Sequence, residues 1–301
     1  MRVLLVALVI LLAAPAATAK APPPPELAAV VPTGRAPCGI TAYAGSLWVG
    51  VYETGELLQL DASTGRTRAR IPVGEWACRV AVGPGAIWVT RDNAGELVRI
   101  SRATGRVRRL MLGAGVFDVL LARGSVWTTS HDIGVIAQSD PATGRSTRIY
   151  KDGPKPVGLA ACGGRIWVGH GRPVTWVTSI EPRLHRKRRV PTTVEGPRDP
   201  TCIDGVVWVT TEDSVVRIDA RTGRLLTVLR VGETLGEAAA GPDGLVWVTD
   251  KQHSVIHRLT PDGRHVLDTF PAGPAAFALA RAGNAMWVTS FAGSDIRRFV
   301  P

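Results

Sequence analysis

The phrase LWVG at residues 47–50 returns as IWVT at 87–90, VWTT at 126–129, IWVG at 166–169, VWVT at 207–210, VWVT at 246–249 and MWVT at 286–289. The tryptophans at 48, 88, 127, 167, 208, 247 and 287 are spaced by 40, 39, 40, 41, 39 and 40 residues. A fixed period of this length marks a repeat architecture. After each phrase comes a second β-prone run, such as ELLQL at 56–60, ELVRI at 96–100, VVRI at 215–218 or VIHRL at 255–259. A turn follows: DASTGR at 61–66, SRATGR at 101–106, DPATGR at 140–145, DARTGR at 219–224. Its Asp and Ser/Thr side chains bond the turn backbone, and its Gly accepts a positive φ. A third run ends in IPVG at 71–74 or LRVG at 229–232, and one more short run precedes each tryptophan, as GITA at 39–42 and VAV at 80–82. Four short strands per repeat with no helical period predict an all-β, seven-bladed propeller of four-stranded antiparallel blades.

The last repeat stops at Pro301, directly after its third strand. The segment ELAAVVPTG at 26–34 matches the missing fourth piece. An N-terminal strand completing the last blade would leave no open gap in the ring. Residues 26–301 are therefore read as one propeller domain. Residues 1–19 read as a signal peptide: Arg2, an apolar run over 3–14, then Ala17, Thr18 and Ala19 before Lys20. That run is shorter than the roughly 17–25 residues of a bilayer span. The Pro-rich leader at 20–25 reads as an extended spacer. The expected protein is secreted or extracytoplasmic, monomeric, and without a membrane anchor once the signal is removed.

Composition agrees with a folded domain. Of 301 residues, 45% are hydrophobic, and Gly 33 with Pro 22 stays below the share typical of low-complexity chains. The net charge of +11 comes mostly from arginines spread over the repeated turns, among them Arg66, Arg106, Arg145, Arg186, Arg224 and Arg264. The densest run, HRKRR at 185–189, lacks interleaved aromatics and reads as a solvated turn on the rim, touching at most an anionic envelope polymer. Nucleic acid is not an expected partner.

The repeated WVT and PVG phrases with the D-x-x-T-G-R turns resemble the YVTN-type propellers, and GPDGLVWVTD at 241–250 is similar to the repeat of the streptogramin B lyase (virginiamycin B lyase) group. The similarity covers nearly all of residues 26–301. It implies the propeller fold. It also implies a lyase that opens a cyclic depsipeptide lactone by elimination, using magnesium with His and Glu on the channel face of the later blades. The innermost strands of those blades read EAAA at 237–240 and AAFAL at 275–279, and neither carries a histidine. Glu237, with Asp250 and His253 on the following loop, are the candidates for such chemistry. The lactonase type of site would need carboxylates and asparagines around a metal, and Asn93 and Asn284 are the only asparagines.

The seven periodic tryptophans are expected in the core, packed against neighbouring blades. Trp76 and Trp176 fall outside the register. Cys38 and Cys78 lie one repeat apart, as do Cys162 and Cys202. Any other pairing would join non-neighbouring blades across the channel, beyond the roughly 7 Å limit on Cα separation. Cys38–Cys78 and Cys162–Cys202 are the expected staples, and no C-x-x-C spacing points to a metal. His257 and His265 are expected on outer faces. His131, His170 and His253 follow the tryptophan strands, on the face that the connections into the inner strands share. Arg91, Glu212, Asp250 and Trp76 join them there in a mixed-charge channel mouth. The expectation is a binding or interaction module for a small polar or anionic ligand, an envelope polymer or a protein, with no cofactor. The alternative is a divergent magnesium-dependent carbon–oxygen lyase, in which Mg²⁺ or Ca²⁺ would bind.

Overall fold

The computed structural model describes residues 22–301, so the expected signal peptide lies outside the described residues. Among them are 28 strands and no α-helix. Seven four-stranded antiparallel sheets follow one another as blades 1 to 7. In blade 1 the strands run from inside out as Pro37–Tyr43, Ser46–Val51, Glu56–Asp61 and Thr67–Pro72. Blades 2 to 6 repeat this order. Blade 7 takes its outer strand from the N-terminus, where Glu26–Pro32 pairs with Asp295–Val300 from Glu26↔Val300 to Pro32↔Asp295. Among the described residues no helix is long and apolar enough to cross a membrane.

Burial grades from the second strand outward. Ser46–Val51 is buried at every position, whereas Thr67–Pro72 alternates between exposed and half-buried. The seven periodic tryptophans are all buried. Each reaches sideways: the Trp287 ring lies beneath the turn glycine Gly65 of blade 1, Trp88 beneath Gly144 of blade 3, and Trp208 beneath Gly263 of blade 6. The turns hold their shape through the predicted side chains. Asp61 Oδ1 accepts the N–H groups of Ser63 and Thr64, each at 2.9 Å, and Gly65 follows at φ 77°. Hydrogen bonds from Ser63, Thr64 and Arg68 hold the Asp61 carboxyl well below its usual range.

The threonine of the WVT phrase joins blade to blade. Thr249 Oγ accepts the N–H of Glu237 in its own blade at 3.0 Å and donates to the Phe277 carbonyl of the next at 2.6 Å. Thr90, Thr129, Thr210 and Thr289 make the same outward bond, to Phe117, Val157, Gly236 and Cys38. Blades 1 and 4 carry Gly50 and Gly169 instead. A Cβ at Gly50 would run into the Cys78 carbonyl oxygen, and one at Gly169 into that of Arg198. Those two junctions are the ones stapled by disulfides, Cys38–Cys78 with Cα atoms 4.9 Å apart and Cys162–Cys202 at 5.4 Å.

Three local expectations change. HRKRR is not only a turn: Arg186–Pro191 is the outer strand of blade 4, and its side chains reach both neighbours. Lys187 Nζ sits 3.0 Å from Asp152 in blade 3, Arg188 donates to the Thr222 carbonyl of blade 5, and Arg189 lies over the Trp176 ring at 4.3 Å. His257 is buried rather than on an outer face. The proline leader is tethered, because the fully buried Arg258 donates to the carbonyls of Pro22 and Pro23 at 2.9 Å while pairing with Asp243 and Asp268.

Candidate functional site

The channel is lined by the seven inner strands, and six of them share a β-bulge near their start. In blade 2, for example, the pairing shifts between Ala77↔Arg91 and Val80↔Val89, so two residues face one. A bulge re-aims a side chain. The second bulge residue is Gly39, Arg79, Asp118, Gly158, Glu237 and Ala278 in blades 1, 2, 3, 4, 6 and 7. Blade 5 has a regular register, with Asp199 at the equivalent place. The ring therefore holds three carboxylates and one guanidinium.

Arg79 spans the channel. It pairs with Glu237 of blade 6 through Nη1 and with Asp199 of blade 5 through Nη2, the latter at 2.8 Å. The Arg79 and Asp199 side chains are only 8% and 6% exposed. Glu237 Oε2 accepts the Leu279 N–H at 2.9 Å. Asp118 accepts the N–H groups of Val119 at 2.8 Å and Leu159 at 2.7 Å. Burial lifts its carboxyl to about 6, against the opposing pull of the Arg79 guanidinium and those two N–H bonds. Phe117 and Phe277 cover the guanidinium, with ring centroids 5.2 and 4.9 Å from its carbon, and Lys251 Nζ lies 5.1 Å from the Phe277 centroid. Burial, then the Arg198 charge, lowers the Lys251 pKa.

A cavity of about 370 Å³ lies against this ring. Ring residues and residues farther along the inner strands line it, including Ile40, Val80, Leu120, Leu159, Ala239 and Leu279. No inner-strand residue ahead of the ring position does so. The cavity thus runs away from the expected mouth, toward the hairpins between inner and second strands, with the charged ring as its floor. Two buried atoms of that floor have no hydrogen-bond partner, Arg79 Nε and Asp199 Oδ2.

Of the candidate site residues named above, Glu237 alone lines this cavity. The others are occupied by close neighbours. Arg91 pairs with Glu96 and donates to the Glu75 carbonyl at 3.0 Å, with its guanidinium 6.0 Å from the Trp76 ring. His131 bridges Asp132 at 2.8 Å and Asp92 at 3.2 Å. Glu212 pairs with the exposed Arg172, which also holds Glu195 at 2.9 Å. His170 is fully buried, its ring nitrogens against the Pro154 carbonyl at 3.2 Å and Thr178 Oγ at 3.0 Å. It is a core histidine and is closed to a ligand. Asp250 is also fully buried and organises its own loop. Burial works against its ionisation, but bonds from the His253 ring and N–H, the Glu233 N–H and His257 outweigh that and hold it at about 2. The same bond raises the His253 pKa, whereas burial lowers that of His257.

Sequence reading missed Arg79 and Asp118. Their signal is a charged residue at a bulge position where the matching strands carry Gly or Ala. A magnesium ion of the lyase type does not fit the ring. Arg79 already sits between Glu237 and Asp199, and both Asp118 oxygens take backbone N–H groups. Among the described residues no group of three or more His, Cys, Asp or Glu side chains is placed to hold a metal.

No protein-family model matches the chain, and no curated protein does. Solved structures do. A streptogramin B lyase is similar at 18% identity with a TM-score of 0.76, over 92% of this chain and 96% of that one. Virginiamycin B lyase from Staphylococcus aureus gives 16% and 0.77, over 91% and 99%. The likeness is one of fold. The WD40 propeller domain of Doa1 reaches the same TM-score, 0.77, at 9% identity, over 92% and 96%. One fold hosts unrelated activities, so function rests on the site.

Proposed function

We propose that the protein is an extracytoplasmic, monomeric binding module whose small polar ligand enters the channel and rests on the charged ring. One observation carries this reading: a cavity of about 370 Å³ with apolar walls ends on Arg79 and Asp199, each with a buried polar atom lacking a partner. Ligand sites are concave, about 300–1,000 Å³, mostly apolar, with a few converging polar groups. A buried donor or acceptor without a partner costs about 1–3 kcal/mol, which a ligand bonded to it would recover. Two disulfides support the oxidising compartment. The WD40-like frame is also compatible with a protein partner on the rim. No observation favours the lyase reading beyond the frame, since Asp250 and His253 bond each other in their own loop, outside the cavity that Glu237 lines.

The test is ligand-observed NMR of small aromatic fragments against the mature oxidised protein and Ala239→Trp, which fills the cavity. Loss of binding in the variant, with its melting temperature retained, supports the proposal. Equal binding to both proteins refutes it.

A further inference from the structure

We infer that the channel cavity takes a small organic cation, an amine on an apolar body, held between the carboxylates of Asp199 and Asp118. The inference rests on the binding reading above and names its ligand class.

Four charged side chains line the cavity: Arg79, Asp118, Asp199 and Glu237. Three are acids, and the one cation is already engaged by Glu237 and Asp199. Arg198 and Lys251 lie nearby but do not line the cavity. Acceptor capacity remains in the ring. Asp199 uses Oδ1 for Arg79, while Oδ2 has no hydrogen bond and lies 3.9 Å from Arg198 Nη2. Each Asp118 oxygen takes one N–H and keeps a second lone pair. An ammonium brings three donors and no acceptor. It can bond both carboxylates at once, whereas a ligand carboxylate would meet three like charges. Walls of Ile40, Val80, Leu120, Leu159 and Leu279 suit an aryl or alkyl body.

Proton linkage gives a second readout. The groups facing Asp118 are Arg79, Asp199 and Glu237, and Asp118 holds its proton up to about 6. A bound cation favours the carboxylate, so binding near pH 6 releases a proton and weakens as the pH falls.

The experiment is titration calorimetry of the mature oxidised protein with benzylamine, benzyl alcohol and benzoate, which share one ring and differ in charge. Benzylamine is expected to bind about tenfold or more tightly than benzyl alcohol, with benzoate weakest, a gap of about 1.4 kcal/mol or more. Asp199→Asn is expected to remove that preference, and Asp118→Asn serves if Asp199→Asn fails to fold. Benzylamine heats in buffers of different ionisation enthalpy should report proton release near pH 6. Equal or tighter binding of benzyl alcohol or benzoate, lost in Ala239→Trp, would overturn the cation and leave the channel reading standing. No binding of any of the three, with other aromatic fragments also indifferent to Ala239→Trp, would overturn both.

Discussion

Blades meet in two different ways in this ring. At five junctions a threonine hydroxyl donates to a carbonyl in the next blade, and at four of them it also accepts a bulge N–H in its own blade, as Thr249 does between Glu237 and Phe277. At the junctions of blade 1 with 2 and blade 4 with 5, glycine replaces that threonine and a disulfide is added. The ring position of the yielding blade is glycine too. A Cβ at Gly39 would lie 2.7 Å from the Cys78 carbonyl oxygen, and one at Gly158 2.7 Å from that of Arg198. The backbone that leans into this space carries Arg79 in blade 2 and Asp199 in blade 5, and these two pair across the channel. The tight junctions therefore do more than close the ring. They seat the two ends of the buried ion pair that floors the cavity.

The staples carry the largest expected difference between the two kinds of junction. Each disulfide joins residues separated by 40, which in the chain-entropy description is worth about 4 kcal/mol. Serine at Cys38 and Cys78, or at Cys162 and Cys202, should lower the melting temperature by several degrees, measured by calorimetry under oxidising conditions. An unchanged value would mean that the tight junctions need no staple.

Gly169→Thr writes the threonine phrase into a tight junction. Its new Cβ would enter the Arg198 carbonyl, and overpacking of this kind costs about 3 kcal/mol. A urea midpoint equal to that of the parent would refute the close approach.

Asp118 sharpens the contrast from the threonine side, since its N–H donates to Thr129 at 3.1 Å. Its carboxyl titrates at about 6 in the fold against a reference of 3.8. The fold thus favours its protonated form. That contribution, about 3 kcal/mol, is fully present below 3.8 and is lost as the pH rises through 6. Between those values Asp118→Asn should lack the decline, so the stability of the parent relative to the variant falls. Parallel stability curves for the two proteins would show that Asp118 titrates normally.

Thr249→Val keeps the shape of the junction and removes its hydroxyl. The Glu237 N–H and Phe277 carbonyl lose their partner, for a loss of about 2 kcal/mol in chemical denaturation. The same change at Thr90 should cost a similar amount, because its two bonds are equivalent. The smallest effect belongs to metal removal. With Arg79 between the acids, melting in EDTA and in excess Mg²⁺ should coincide. A saturated site at 100 times its dissociation constant would instead add about 2.7 kcal/mol.

How much of the site could be read in the chain varied with distance along it. Glu237 stood out as an acid opening an alanine run. Arg79 is followed by VAV and is preceded by Cys78, and its partner lies 158 residues away. His170 looked like a mouth residue because it follows a tryptophan strand, yet Thr178 and Pro154 enclose it. Arg91, His131 and Glu212 were read in the right loops, but each meets an opposite charge there.

What repeats is legible along the chain: the number of blades, the turn chemistry, the buried tryptophans, the staple partners and the strand that closes the ring. All but the last depend on contacts within one repeat or with the next, so a period near 40 encodes them directly, and the closing strand supplies the piece that the last repeat lacks. Which charges meet depends on the closed ring. Closure brings seven inner strands to one axis, and a bulge in six of them sets which side chain faces it. Charge pairs formed across that axis leave no periodic trace, because Arg79 of blade 2 meets Asp199 of blade 5 and Glu237 of blade 6.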